Sequence, residues 1–238
     1  MQRHFKESRV VMKKELVEKL VTEYLAVSSV PENQKGKVLK LVDKMSSNVD
    51  FLYDVYHSLH SGYENPIKSK NEELFFETGN EKFLLRDKAT GIFLEKEDMK
   101  ILVRDMIALL EEVLPLGSVV DLKKEEFEDR FNLNGLSNFR VIVSKRFQGI
   151  GDDLYYPYSV LLYPFGTIGN GRSLSITPAL IENVVFKGYQ DEAEEDFVYQ
   201  AKKTLICDQR RKSVGFASKD ELQKIQKEME ETLKNGKK

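Results

Sequence analysis

The residues that could do chemistry are few. Five carboxylates stand within six positions, Asp191, Glu192, Glu194, Glu195 and Asp196, inside the stretch FKGYQDEAEEDF (186–197). Such a cluster can hold a divalent cation, attract a basic partner, or open a helix. The helix accounts for the sign: acids in a first turn meet the partial positive charge of the helix N-terminus. One or two would serve that purpose, so five mutually repelling groups point to an attraction outside the chain, to a basic partner or to a cation. No histidine stands near them and no spacing among them sets a ligand geometry, so no metal is assigned.

The remaining chemistry is thinner. Of three histidines, His57 and His60 share a helix face by their spacing of three. Without a third or fourth ligand they do not make a metal site. The only cysteine, Cys207, follows an apolar TLI and lacks a neighbouring base, so it reads as a small core residue. Asp121-Leu122-Lys123 is half of a metal-nuclease core, which needs a further acid to share an ion. Asp152, Asp153 or the 191–196 acids could supply one, and a metal-dependent nuclease stays open on that basis. GTIGNG (166–171) is neither a dinucleotide fingerprint nor a phosphate loop, and reads as turn chemistry. No catalytic residue and no cofactor are assigned.

The elements that would position these groups follow from periodicity. Leu16, Val17, Leu20, Val21, Tyr24 and Leu25 form one apolar helical stripe. After Pro31, a longer helix is expected. Its Val38, Val42, Met45, Val49, Leu52, Tyr56 and Leu59 alternate steps of four and three, a coiled-coil-like seam stopping near Ser61-Gly62. Other helices of the chain cover that seam, or it takes a partner helix. KFLLRD and GIFLE predict a hairpin over 82–94, followed by a helix over 97–114 with Met99, Leu102, Val103, Met106, Ile107 and Leu110 buried.

Strand patterns then take over in LGSVVDL, FRVIVSKR, LYYPYSVLLYPFG and VVFKGY, with PALIEN as a helical turn and Asn134-Gly135 as a break. The acids open a helix through FVYQAKKTLI. Ser218-Lys219-Asp220-Glu221 is a capping box for a last amphipathic helix with Leu222, Ile225, Met229 and Leu233. The fold class is therefore α+β: an N-terminal helical hairpin region, then a small antiparallel sheet with flanking helices. The segments are a hairpin region over 1–68, a β-hairpin and connecting helix over 69–112, an α+β domain over 113–200, and a helical tail over 201–238.

Composition sets the outer limits. The 238 residues are 41% hydrophobic and 32% charged with a formal net charge of −2. That composition buries a core and offers no general basic field for nucleic acid, although Arg3, Lys6, Arg9, Lys13 and Lys14 make the start locally basic. No apolar run reaches the roughly 20 residues of a membrane span. The basic start lacks the apolar stretch of a secretory signal. A single cysteine fits a reducing, cytoplasmic setting.

Three stretches carry a resemblance. LPLGSVVDL (114–122), LYYPYSVLLYPFGTIG (154–169) and ENVVFKGYQDEAEEDF (182–197) resemble, in the same order, a Firmicute family of unknown function. Its members are encoded beside LXG-domain toxins of the type VIIb secretion system. The insert at 123–138 and the 112 residues before the match lie outside the family pattern. The resemblance implies a cytoplasmic, non-enzymatic chaperone or targeting adaptor that binds an LXG-type toxin. The membrane-bound secretion ATPase and small helical accessory proteins are further partners it implies. Partner contacts would come from Tyr189 and the five acids for a basic surface, and from the 38–59 seam for a helix. An immunity protein that neutralises a toxin domain is the rival reading. The chain has no tryptophan, and none of Tyr53, Tyr56, Tyr63, Tyr189 and Tyr199 is followed four residues later by an acid. It does not resemble an export substrate.

Overall fold

The computed structural model describes residues 12–62, 65–79, 82–129, 131, 137–167, 173–225 and 227. The fold is α+β. The chain forms two units, Met1–Glu112 with Asp191–Asp208, and Val113–Gln190 with Gln209–Lys238.

The first unit is built from α1 (Lys14–Val27), α2 (Glu32–Ser46), α3 (Val49–Ser61), α4 (Lys96–Leu110) and α5 (Glu192–Lys202), together with four strands. The continuous helix expected over 38–59 is two helices. Ser47 Oγ donates to Asp43 O (3.0 Å) and Asn48 Nδ2 to Lys44 O (2.8 Å), so side chains compete for the carbonyls that would extend the ladder. Gly62 ends α3 as expected, at φ 71°, with its N–H on Ser58 O (3.1 Å). Helix α4 stops at Leu110, short of the expected 114, because Glu111 is already extended (φ −59°, ψ 134°).

Sequence periodicity anticipates β3 (Phe83–Arg86) and β4 (Gly91–Leu94) but not β1 (Ile67–Lys68) or β2 (Phe75–Thr78). All four form one antiparallel sheet in sequential order. Asp87 shapes the β3–β4 turn, accepting from Ala89 N (2.7 Å) and Thr90 N (2.6 Å). Burial works against its charge, but the Lys44 ammonium and these two amides together hold its pKa down.

The second unit is a six-stranded sheet of β5 (Val119–Leu122), β6 (Phe139–Ile150), β7 (Leu154–Leu162), β8 (Leu174–Ile176), β9 (Ile181–Phe186) and β10 (Lys212–Ser213). The order is β10-β7-β6-β5-β9, with β8 also on β7. Every pair is antiparallel except β10 with β7. Alternation on β5–β7 sends Val120, Leu122, Phe139, Val141, Val143, Tyr158 and Val160 to one face, where Ile176, Leu114 and Phe127 complete the core. The insert adds to it: Phe127 and Phe131 pack on Phe139 at ring-centroid distances of 5.2 and 5.6 Å. The helical turn expected over PALIEN covers only Pro178–Leu180; Ile181 already belongs to β9. The capping box forms as expected, with Ser218 N on Glu221 Oε2 (2.8 Å) and Glu221 N on Ser218 Oγ (3.3 Å). The Lys212 ammonium and these bonds hold the Glu221 pKa down to about 2. The Asn134-Gly135 turn, most of the 166–171 loop, Met229 and Leu233 lie outside the described residues.

Candidate partner surfaces

The five acids divide by what they touch. Asp191, extended at φ −146°, is the N-cap of α5, its carboxylate accepting from Glu194 N (2.9 Å). Glu195 is buried. It accepts the main-chain N–H of Lys13 and lies 3.5 Å from the Lys13 ammonium. Lys13 is the N-cap residue of α1 and makes no side-chain cap of its own, so Glu195 caps that helix from a distant part of the chain. Glu192 is exposed and sits 3.6 Å from the same ammonium. Glu195 first, then Glu192, raises the Lys13 pKa. Asp196 is exposed and Glu194 half-buried. Asp191 and Glu195 are thus parts of the fold, and Glu192 and Asp196 remain on the surface.

The seam is corrected as an external face. Val38, Val42, Met45, Leu52 and Leu59 are buried and Val49 and Tyr56 half-buried. The break at 47–48 turns α3 onto α4, and the first unit's own elements fill the stripe a partner helix would have taken.

Tyr189 is different: it is 80% exposed. The residues before it explain why. A Cβ on Gly188 would stand 2.0 Å from Leu116 O, so only glycine fits. Gly188 N donates to Ser118 Oγ (3.0 Å), and that hydroxyl donates to Pro115 O (2.8 Å). Gly117, at φ 78°, donates its N–H to Val143 O (2.9 Å). LPLGSVV and VVFKGY are joined by the β5–β9 ladder and by the Ser118 hydroxyl. Around that junction Leu116, Val184, Val185, Phe186 and Tyr189 stay exposed.

Other candidate groups are engaged locally. Arg140 donates to both Asp121 oxygens (2.8 and 3.1 Å). His60 Nδ1 contacts Tyr56 O (2.8 Å), and Cys207 is buried. Among the described residues no group of three or more His, Cys, Asp or Glu side chains could hold a metal ion.

One arrangement has no sequence signal. In the first unit a cleft of about 850 Å³ is lined by Ser46, Asn48, Asp50, Tyr53, Lys70 and Glu111, among others. Burial pushes the Glu111 carboxyl up to about 7, against the Tyr53 hydroxyl bond (2.9 Å) and the charge of Lys202. Lys202 is itself buried, donating to Leu109 O (2.8 Å) and Glu111 O (2.7 Å) beyond the end of α4. Burial lowers its pKa to about 8. In sequence Lys202 is merely one base of a basic helix end.

Residues 113–197 match the model of a domain of unknown function, DUF4176. The match covers the joined LPLGSVV and VVFKGY segments, the exposed residues around them, and the acids as far as Phe197. No curated protein and no solved structure matches the chain.

Proposed function

We propose that this protein is a cytoplasmic accessory adaptor that binds an LXG-type toxin and helps present it to the type VIIb secretion ATPase, without catalysis of its own. The observation that carries a binding role is that Leu116, Val184, Val185, Phe186 and Tyr189 are exposed around the close approach of Gly188 to Leu116. Contiguous exposed apolar surface marks interaction sites. The choice of toxin rests on the resemblance of its three sequence stretches. Glu192 and Asp196 supply the surface charge for a basic partner. Among the described residues no helix is long and apolar enough to cross a membrane, in keeping with a partner-delivered route to the ATPase.

Co-purification with separate toxin halves tests the reading. Capture of the helical N-terminal half, lost in Phe186→Ala with Tyr189→Ala, is the expected result. Binding only to the toxic C-terminal half, with loss of toxicity, would replace the adaptor by an immunity protein.

A further inference from the structure

The cleft of about 850 Å³ in the first unit is built from three stretches: the junction of α2 and α3, the end of β1 with the loop after it, and the end of α4. Its volume suits a small molecule. Buried Phe51 and Leu110 give it apolar surface. Its charges are mostly acidic, Asp50, Asp54, Glu111 and Glu112 against Lys68 and Lys70. Both lysines are engaged, Lys68 with Glu72 (2.5 Å) and Lys70 with Asp50 (3.1 Å). Of the four acids Glu111 alone is half-buried; the others are exposed. The Tyr53 hydroxyl donates to its Oε1 (2.9 Å). Its Oε2 has no hydrogen-bond partner among the described residues and is not sealed from solvent. A second observation concerns the helix end beside it. Cations are favoured at a helix C-terminus, and the end of α4 already holds one: the buried Lys202 ammonium, on the carbonyls of Leu109 and Glu111. That ammonium serves main chain and leaves the Glu111 carboxyl unbonded.

We propose that this cleft binds a small aliphatic diamine or polyamine, with one ammonium at Glu111 Oε2, the methylene chain along Phe51 and Leu110, and a second ammonium towards the exposed acids Asp54 and Glu112. A metal ion fits less well, because among the described residues no three acids, histidines or cysteines converge on one point. A guanidinium fits less well too: it grips a carboxylate best through both oxygens, and Tyr53 occupies one. The groups around Glu111 are Tyr53, Asp50 and Asp54 from α3, Lys68 and Lys70 from β1 and its loop, Glu112 next in the chain, and Lys202 from α5. Burial lets the Glu111 carboxyl keep its proton up to about 7. An ammonium beside it favours the charged form, so binding expels that proton and tightens as pH rises through this range. The site goes beyond the adaptor reading and does not depend on it.

The test is titration calorimetry of the full chain with putrescine at constant ionic strength, with circular dichroism to confirm folding. Saturable binding is expected, roughly five- to tenfold weaker at about pH 6 than at about pH 7.5. Buffers of different ionisation heat should show proton release at the lower pH. Glu111→Gln should weaken binding about tenfold or more at the higher pH and remove its pH dependence. Tyr53→Phe keeps the carboxyl but loses the bond that holds its pKa down, so the pH dependence should move to higher pH; this variant decides if Glu111→Gln does not fold. Glu182→Gln, an exposed acid of the other unit, should change nothing. No saturable binding, equal binding of the diol analogue, displacement by an equal concentration of magnesium, or a pH dependence that survives in Glu111→Gln or stays fixed in Tyr53→Phe would overturn the proposal.

Discussion

The 38–59 stripe and the 184–186 run are the two apolar features that invite a partner, and the fold treats them in opposite ways. The stripe is longer, more regular and the stronger sequence signal, yet Val38, Met45 and Leu52 end fully buried. The run in β9 is three residues long, and Phe186 is 61% exposed. Periodicity reports which face of an element is apolar; it says nothing about what lies against that face. A helix with a polar break can fold its two halves onto different neighbours. An edge strand tied to one neighbouring strand cannot.

The most severe break of this comparison is a core truncation. Leu52→Ala should cost roughly 2–5 kcal/mol in chemical denaturation, as a cavity in a packed helical core does. A cost near zero would mean the stripe is not core. Next, Gly188→Ala should cost about 1–3 kcal/mol, because the added carbon meets main-chain oxygen and cannot be relieved by a rotamer change. Hydrogen exchange at Ser118 and Val143 should rise with it. Smaller again, Asp191→Ala removes the α5 N-cap and should cost about 1 kcal/mol. Glu192→Gln should stay within about 0.5 kcal/mol. Neutralising all five acids is therefore not silent for the fold; Glu192 and Asp196 are the pair that tests partner charge. At the small end, Phe186→Ala should leave stability within about 0.5 kcal/mol while abolishing partner capture, the mirror image of Leu52→Ala.

The pH dependence sharpens the contrast between the units. A carboxyl raised from 4.5 to about 7 holds its proton longer in the folded state. Its contribution to stability is therefore full below about 4.5 and falls as pH rises towards about 7. Glu111→Gln should remove that decline from a denaturation series over this window. Glu221, depressed to about 2, runs the other way: its contribution is present above about 4.5 and lost as pH falls towards about 2. Glu221→Gln should flatten only this acid limb.

Much of the architecture was legible locally. The stripe of α1, the stop at Gly62, the β3–β4 hairpin and the Ser218 capping box follow from spacing and turn chemistry over a few residues. So does the alternation of β5–β7. The misses have local causes too. Ser47 and Asn48 look like ordinary helix-surface residues until their side chains bond the carbonyls behind them. Strand β2 is no shorter than β3 or β4, four residues each, but those two are marked by the turn at 88–91 that they flank. Of the partner-binding candidates, sequence could place Tyr189 and the acids at a strand-to-helix junction. It could not say that Glu195 caps a helix 182 positions away, or that burial would set Glu111 and Lys202 against the end of α4.

What the sequence determined by itself is the α+β class, the type and order of most of the longer elements, and the polar or apolar character of their faces. These depend on propensity and period, which act over a few residues. Only the tertiary structure decided which apolar faces meet each other, which of five equivalent-looking acids are consumed as caps, and why position 188 must be glycine. Those outcomes depend on contacts between residues tens to hundreds of positions apart, where burial and hydrogen-bond satisfaction outweigh any local preference.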